Sequence, residues 1–188
     1  MKTFKFQMIT IIVLTFGLIQ TSNAQKQQSG LYLTYNDYVN HKLSYTADKI
    51  KKNEFIGSKN VTVVGNGKKT VLAKDQLFGY HDADNKDYRF QDGKAYQIVD
   101  TTGFYIYSYD KLVQQGKGPK PTKVYYFSKK SVDAIQPLTP ENIAVAFPKN
   151  TKFKNMVELA SKSDIKLDAY DAQSNEFKIK ELYSESLQ

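Results

Sequence analysis

The chain has 188 residues and a net charge of +8, with 27 lysine and arginine residues against 19 acidic ones, and it contains no cysteine. Arg89 is the one arginine, and sites that read bases or grip phosphates rely on the bidentate arginine fork, so we exclude nucleic acid as a partner. Because cysteine is absent, disulfides and lipid attachment through cysteine are excluded, and hydrophobic burial must hold the fold together.

Residues 1–24 have the pattern of a secretory signal peptide. Lys2 and Lys5 precede an apolar run over residues 8–19, and Ser22 and Ala24 supply the small residues of a cleavage site. The alternative is an uncleaved membrane anchor, but about 12 apolar residues are too few to span a bilayer comfortably. We therefore predict an exported mature chain, residues 25–188, that forms a single domain without a transmembrane segment and is periplasmic or secreted.

The first part of the mature chain predicts one short helix and one hairpin. Thr34 and Asp37 have the spacing of a capping box, which predicts a helix over residues 35–41. Two runs rich in β-branched residues flank an Asn-Gly pair, and this pair favours a type I′ turn. The expected strands of this hairpin cover residues 61–64 and 70–73.

Residues 77–127 carry the strongest pattern in the chain. Aromatic and β-branched residues alternate there with polar ones, and Gly, Asp and Asn interrupt them at intervals, which is typical of an antiparallel meander. Gly116, Gly118, Pro119 and Pro121 predict a mobile loop that does not join the ladder. The predicted strands cover residues 77–81, 88–91, 94–100, 104–109 and 123–127.

The last third of the chain is predicted to be mainly helical. Thr139 and Pro140 form a helix start, and Pro148 ends this helix after about two turns. A second helix begins at Thr151, and its apolar residues recur at helical spacing: Phe153, Met156, Val157 and Ala160. The tail, residues 164–188, fits either a terminal helix or an extended segment, and we expect the helix.

Together these elements predict an α+β fold. We expect an antiparallel β-meander of about six to eight strands, forming an open barrel or a roll-like sheet. A short N-terminal helix precedes this sheet, and C-terminal helices pack on it.

No catalytic motif is present in the sequence. His41 and His81 are the two histidines, and neither lies in a motif with a nucleophile or with metal ligands. Asp82, Asp84 and Asp87 resemble the start of a calcium loop, but the glycine that such a loop needs is missing, so we predict a turn-rich loop and no metal site. We predict no cofactor. A carboxylate pair for glycoside hydrolysis leaves no mark in sequence spacing, so this chemistry stays open.

A stripe of tyrosines supplies the candidate ligand-binding residues. Tyr105, Tyr107 and Tyr109 alternate along one predicted strand and share one face, opposite Phe104 and Ile106. Either this face is open and binds a flat polar ligand such as a sugar, or it is covered by the C-terminal helices.

Two segments carry a resemblance to known proteins. Gly30-Leu31-Tyr32-Leu33-Thr34-x-x-Asp37-Tyr38 is the first, and Asp87-Tyr88-Arg89-Phe90-x-x-Gly93-Lys94-Ala95-Tyr96 is the second. In both, the chain resembles small uncharacterised exported proteins of Bacteroidota-type bacteria. The resemblance implies a Gram-negative cell envelope and no particular chemistry.

The leading hypothesis is an exported cell-envelope protein without evident catalytic activity. It would act as a binding or scaffolding module through its tyrosine-rich sheet surface, with a glycan or an envelope protein as its partner. The alternative is a small hydrolase that acts on a cell-wall or dietary polysaccharide.

Overall fold

A computed structural model of the chain describes residues 28–52, 58–116 and 118–188, and the predicted signal peptide lies outside these ranges. The fold is α+β, as predicted. Within the described ranges, four α-helices, α1 to α4, span Tyr35–Val39, Pro140–Ala146, Thr151–Lys162 and Lys178–Glu185. Its strands, β1 to β13, span Ser29–Tyr32, Tyr45–Ala47, Lys49–Lys51, Asn60–Gly65, Lys68–Ala73, Gly79–His81, Asp87–Gln91, Lys94–Asp100, Tyr105–Gln115, Gly118–Ser128, Gln136–Pro137, Tyr170–Asp171 and Glu176–Phe177.

Eight of these strands form one antiparallel sheet. Its order is β11-β10-β9-β8-β7-β6-β1-β2, so the predicted meander, residues 77–127, occupies five consecutive places from β6 to β10. The sheet is not closed into a barrel, since β11 and β2 are at its two ends. β3, β4 and β5 form a separate three-stranded sheet, and β12 and β13 form a small hairpin before α4. No helix in the described ranges is long and apolar enough to cross a membrane.

One face of the large sheet carries two hydrophobic cores side by side. Residues that oppose each other on neighbouring strands lie on the same face of a sheet. The register joins six such residues into one row across the sheet: Leu31, Tyr80, Tyr88, Gln97, Ser108 and Tyr125. At the first end, the three-stranded sheet packs on residues that include Leu31, Tyr80, Phe90 and Ala95. At the second end, the C-terminal helices pack on Phe104, Ile106 and Phe127.

The local signals that depend on a few neighbouring residues are confirmed. Asn66 and Gly67 both have positive φ, and so do Asp92 and Gly93, as two-residue hairpin turns require. Thr34 and Asp37 form both hydrogen bonds of the capping box at α1. Thr139 caps α2 through its hydroxyl, and the buried side chains of α3 include Phe153, Val157 and Ala160.

The segment predicted as a mobile loop, residues 116–121, is instead mostly strand. β9 and β10 pair from Tyr105 and Ser128 to Gln115 and Gly118, so the hairpin is long. The prolines fit because Pro119 and Pro121 lie at positions whose nitrogen atoms face away from β9, where no N–H is needed. The prediction was wrong because the combination of two glycines with two prolines was taken to prevent strand pairing, whereas proline is tolerated where its nitrogen faces outwards.

Lys180 of α4 connects the helices to the turn between β8 and β9. Its side chain is 3% exposed, and its ammonium donates to the carbonyl oxygens of Thr102 and Phe104 and lies 3.3 Å from a carboxylate oxygen of Asp100. Burial lowers the pKa of Lys180, and the charge of Asp100 partly offsets this effect. The ammonium also lies 4.0 Å from the ring centroid of Phe104, so one cation serves two carbonyls, a carboxylate and a ring.

Replacing Gly93 by alanine tests the second hairpin turn. Gly93 has a φ of +74°, and an added Cβ would meet nothing closer than the Ser58 carbonyl oxygen at 3.9 Å, so the cost comes from backbone conformation alone. We expect Gly93→Ala to lower the free energy of unfolding by about 1 to 2 kcal/mol in urea titrations. Gly118→Ala is the control, because Gly118 lies in a strand with open space around it. Equal costs for both variants would contradict the turn assignment.

Replacing Lys180 by methionine tests the connection made by α4. The substitution leaves two carbonyl groups and a carboxylate without their cation, so we expect a loss of roughly 3 to 5 kcal/mol in the free energy of unfolding. Lys178→Met, in the same helix, removes a more exposed ion pair with Glu181 and should cost about 1 kcal/mol or less. Chemical denaturation of both variants checks this, and a silent Lys180→Met would show that the contacts add no stability.

Candidate functional site

The three tyrosines proposed as ligand-binding residues occupy different environments. Tyr107 is fully buried, and its hydroxyl lies 2.9 Å from the Ser128 hydroxyl and accepts a hydrogen bond from Arg89 at 3.2 Å. Arg89 also donates to the Asp133 carbonyl oxygen, so the segment after β10 covers this part of the sheet. Tyr107 therefore belongs to a buried polar cluster and is not available to a ligand in this structure.

Tyr105 is partly covered from the N-terminal side. Its hydroxyl lies 3.0 Å from the hydroxyl of Tyr35 in α1, and its ring stacks on that of Tyr107 with centroids 6.1 Å apart. The C-terminal helices are on the other face of β9, against Phe104 and Ile106. The tyrosine face is thus neither a fully open surface nor one covered by those helices. It is partly covered by α1 and by the segment that follows β10.

Tyr109 lies at a cleft where β8 and β9 separate. These strands pair from Asp100 and Ile106 to Gln97 and Ser108, and no pairing continues to Lys94 of β8. The gap is part of a cleft of about 730 Å³. Its lining combines three lysines, three tyrosines and five other residues: Lys52, Lys94, Lys111, Tyr88, Tyr109, Tyr126, Ala95, Gln97, Ser108, Asp110 and Leu112.

Aromatic packing holds one wall of the cleft in place. The buried ring of Tyr96 contacts the rings of Tyr109 and Tyr126, with centroids 5.4 and 5.0 Å away. The ammonium of Lys94 lies 5.8 Å from the Tyr109 ring centroid, which is a distance typical of cation–π contacts. Rings that are fixed by a buried neighbour lose little conformational freedom when a ligand stacks on them.

The charge of the cleft is positive. The lining residues that the structure describes include three lysines, Lys52, Lys94 and Lys111, and one carboxylate, that of Asp110. The ammonium of Lys52 lies 5.0 Å from the ring centroid of Tyr88, so cations and rings alternate around the cleft. This arrangement suits a ligand that carries negative charge and also has flat or apolar parts.

Sequence reasoning found Tyr109 but missed the rest of this cleft. Tyr126 could have been found, because it alternates with Phe127 just as Tyr107 alternates with Ile106. The lysines could not, because they come from strands far apart in the sequence. The cleft itself depends on β9 continuing beyond the paired part of β8, and residues 116–121 had been expected to lie outside the ladder.

A second cluster of polar side chains was also missed. Nδ1 of His81 lies 2.8 Å from Oδ1 of Asp87, and the hydroxyl of Tyr32 donates to the same oxygen at 3.0 Å. Burial, with the charge of Asp87, raises the pKa of Tyr32. An aspartate in this position orients the imidazole. None of the described contacts brings a nucleophile to His81, so the cluster as it stands orients a histidine and nothing more.

The aspartate loop after β6 is closed by its own backbone. Oδ1 of Asp82 accepts hydrogen bonds from the backbone N–H groups of Asp84 and Lys86, at 2.9 and 3.0 Å. This is a turn formed by an aspartate side chain. In the described part of the chain, no group of three or more His, Asp or Glu side chains is placed to hold a metal ion.

Several tyrosine hydroxyls on both faces of the large sheet are held protonated. Burial raises the pKa of Tyr38 to about 12 and that of Tyr96 to about 12. Burial also raises the pKa of Tyr88 beside the cleft, with a further contribution from Asp82. At neutral pH these hydroxyls are therefore uncharged, and they can both donate and accept hydrogen bonds.

Comparisons with known proteins found no relative of this chain. No family model matches it, and neither a curated protein nor a solved structure does.

The raised pKa values predict that the protein loses stability in alkali. In the unfolded chain tyrosines ionise near pH 10, whereas Tyr38 and Tyr96 keep their protons to about pH 12 in the folded state. Between these values the folded state binds more protons, so stability falls as pH rises. We expect the melting temperature to decrease steadily above pH 10, and absorbance at 295 nm should show these tyrosines ionising only as the chain unfolds.

Tyr96→Phe supplies the control for this pH effect. The variant lacks one of the hydroxyls, so its melting temperature should fall less steeply between pH 10 and pH 12 than that of the parent. Lys180 has the opposite effect, because its lowered pKa makes stability rise with pH. This rise ends at the pH where the lysine also loses its proton in the unfolded chain. Identical slopes for the parent and Tyr96→Phe would contradict the assignment.

Proposed function

We propose that the chain is an exported cell-envelope protein, periplasmic or secreted, that binds a ligand in the cleft between β8 and β9 without catalysing a reaction on it. Export is supported by the signal-peptide pattern of residues 1–24 and by the resemblance to exported proteins of Bacteroidota-type bacteria. The partner is a glycan or a protein of the envelope. Of the three tyrosines on β9, Tyr109 is the one that lines this cleft.

The observation that carries this proposal is the pairing of fixed rings with lysines in one concave site. Tyr109 and Tyr126 line the cleft, and both contact the buried ring of Tyr96. Lys94 and Lys111 lie at the same cleft. A volume of about 730 Å³ falls within the range of ordinary ligand sites, roughly 300 to 1,000 Å³. Envelope polysaccharides and many envelope proteins carry negative charge, which the lysines complement.

The alternative, a small hydrolase for a cell-wall or dietary polysaccharide, has less support. Glycoside hydrolysis uses two carboxylates about 5 to 9.5 Å apart. Among the described residues that line the cleft, Asp110 supplies the one carboxylate. The pair of His81 and Asp87 is the feature that favours a hydrolase, because an oriented histidine can act as a base, but neither residue lines this cleft.

Binding to immobilised anionic polysaccharides and to purified cell-wall material tests the proposal. We expect the mature protein to be retained on at least one of these materials, and Tyr109→Ala to weaken that retention by about tenfold, since a stacking ring contributes roughly 1 to 1.5 kcal/mol. Tyr170→Ala is the matched control, because Tyr170 is a half-exposed tyrosine on β12, away from the cleft. Circular dichroism of both variants verifies that they are folded.

The same samples distinguish binding from hydrolysis. Retention without new reducing ends supports the binding protein, whereas new reducing ends from the same material support the hydrolase. Equal retention of Tyr109→Ala and Tyr170→Ala would show that the binding site lies outside the cleft.

A further inference from the structure

The cleft also contains an unpaired strand edge. β9 continues to Gln115, but its pairing with β8 ends at Ser108 and Gln97. On the side away from β10, no strand in the described part of the chain pairs with Asp110, Leu112 or Gln114. Asp110, Leu112 and Gln114 are exposed, and Leu112 is 48% exposed, so this edge is accessible.

The register shows which main-chain groups point out of this edge. β9 and β10 oppose Leu112 to Pro121 and Gln114 to Pro119. Proline has no N–H, and directly opposed residues in an antiparallel pair either exchange both hydrogen bonds or exchange neither. These two pairs therefore exchange neither. The N–H and C=O groups of Leu112 and Gln114 point away from β10, towards the cleft, and by the same alternation so do those of Asp110.

The opposite edge of the hairpin is closed to such pairing. The positions of β10 that face outwards include Pro119 and Pro121, which cannot donate a hydrogen bond. On the same edge of β10, the carbonyl oxygen of Tyr125 already accepts a hydrogen bond from the backbone N–H of Leu138, next to the short strand β11. The hairpin thus has one edge blocked by proline and one edge that is free over Asp110, Leu112 and Gln114.

We propose that this edge binds an extended, acidic segment of another polypeptide as an added β-strand. The inference rests on the proposed function and specifies its protein partner, which would pair with this edge as an extended strand. Strand addition supplies affinity through main-chain hydrogen bonds and specificity through the pockets beside the strand. Here the three outward residues offer alternate N–H and C=O groups, and Tyr109 and Tyr126 border the space that an added strand would fill.

The positive charge of the cleft favours a partner that carries negative charge. Among the described residues, Lys52, Lys94 and Lys111 line the cleft with one carboxylate, that of Asp110, and the outer strand of the same hairpin adds Lys120 and Lys123. A second copy of this chain would bring the same lysine-rich hairpin to the edge, so like charges would oppose its approach. An acidic strand reduces this excess of positive charge.

Amide hydrogen exchange, read by nuclear magnetic resonance, tests the proposal directly. The probe is a capped eight-residue peptide that alternates valine and glutamate, and a peptide with lysine in place of glutamate is its control. In the free protein, the amides of Asp110, Leu112 and Gln114 should exchange rapidly, while those of Lys111 and Val113, which face β10, are protected. Saturating acidic peptide should slow the first three by about tenfold or more, as expected for one added hydrogen bond each.

Two substitutions of Leu112 distinguish binding through its main chain from binding through its side chain. Leu112→Pro removes the N–H that faces the cleft but leaves the hydrogen bonds to β10 intact, so it should weaken peptide binding by about tenfold. Leu112→Ala keeps the N–H and should bind within about threefold of the parent. The tolerance of the hairpin for Pro119 and Pro121 indicates that the proline variant folds, and the protected amide of Val113 verifies it.

Each remaining outcome overturns the inference. Peptide binding without slower exchange at Leu112 and Gln114 would show recognition through side chains. Retention on polysaccharide without peptide binding would leave the proposed function intact and exclude the acidic strand. Protection of the same amides that rises with protein concentration, together with a dimer in sedimentation, would identify a second copy as the occupant. Loss of both polysaccharide and peptide binding would remove the proposed function as well.

Discussion

Strand β9 contacts a different part of the protein on each of its two faces and along each of its two edges. The fold and the candidate site follow from these four sets of contacts. Phe104, just before this strand, and Ile106 within it are buried under the C-terminal helices. Tyr107 points to the other face, where its hydroxyl forms hydrogen bonds with Arg89 and Ser128. Side chains alternate along a strand, so neither set can move without exposing the other. Lys180 then connects α4 to the backbone at the start of the strand.

β9 is paired and buried at one end and exposed at the other. Between Ile106 and Ser108 both edges are paired and both faces are buried, whereas beyond Ser108 the strand leaves β8 and keeps β10 as its partner. A long two-stranded hairpin is marginal when isolated, but here its base is part of an eight-stranded sheet. The buried base can therefore hold an exposed arm in a defined position, and the cleft forms where the arm leaves the sheet.

The sequence predicted those parts of the fold that depend on neighbouring residues. The turns at Asn66-Gly67 and Asp92-Gly93, the capping box at Thr34 and the cap at Thr139 each need two to four adjacent residues, and all are present. β8 was predicted with the bounds that the structure shows.

What depends on distant residues was missed. The burial of Tyr107 depends on Arg89, Ser128 and a segment without regular structure, and the separate three-stranded sheet was not predicted because its partners could not be paired from sequence alone. Of the candidate site, sequence analysis supplied Tyr109 and its neighbours on one strand. It could not supply the lysines, because a concave site is made by residues that the topology brings together. The length of β9 was the decisive omission: the prolines of β10 indicated a loop, and only the register shows that their nitrogen atoms face outwards.

The two edges of the hairpin show the difference between a protected strand and an available one. Exposed strand edges promote aggregation, and proteins commonly block them with proline or with lysine. In this hairpin, proline blocks the β10 edge at two positions, whereas the β9 edge has no proline and is bordered by lysines and tyrosines. Lysine disfavours pairing with a copy of the same basic chain but favours an acidic one, because the sign of the partner decides whether the charges repel or attract. The same residues can therefore keep the protein from associating with itself while leaving the edge open to a partner of opposite charge.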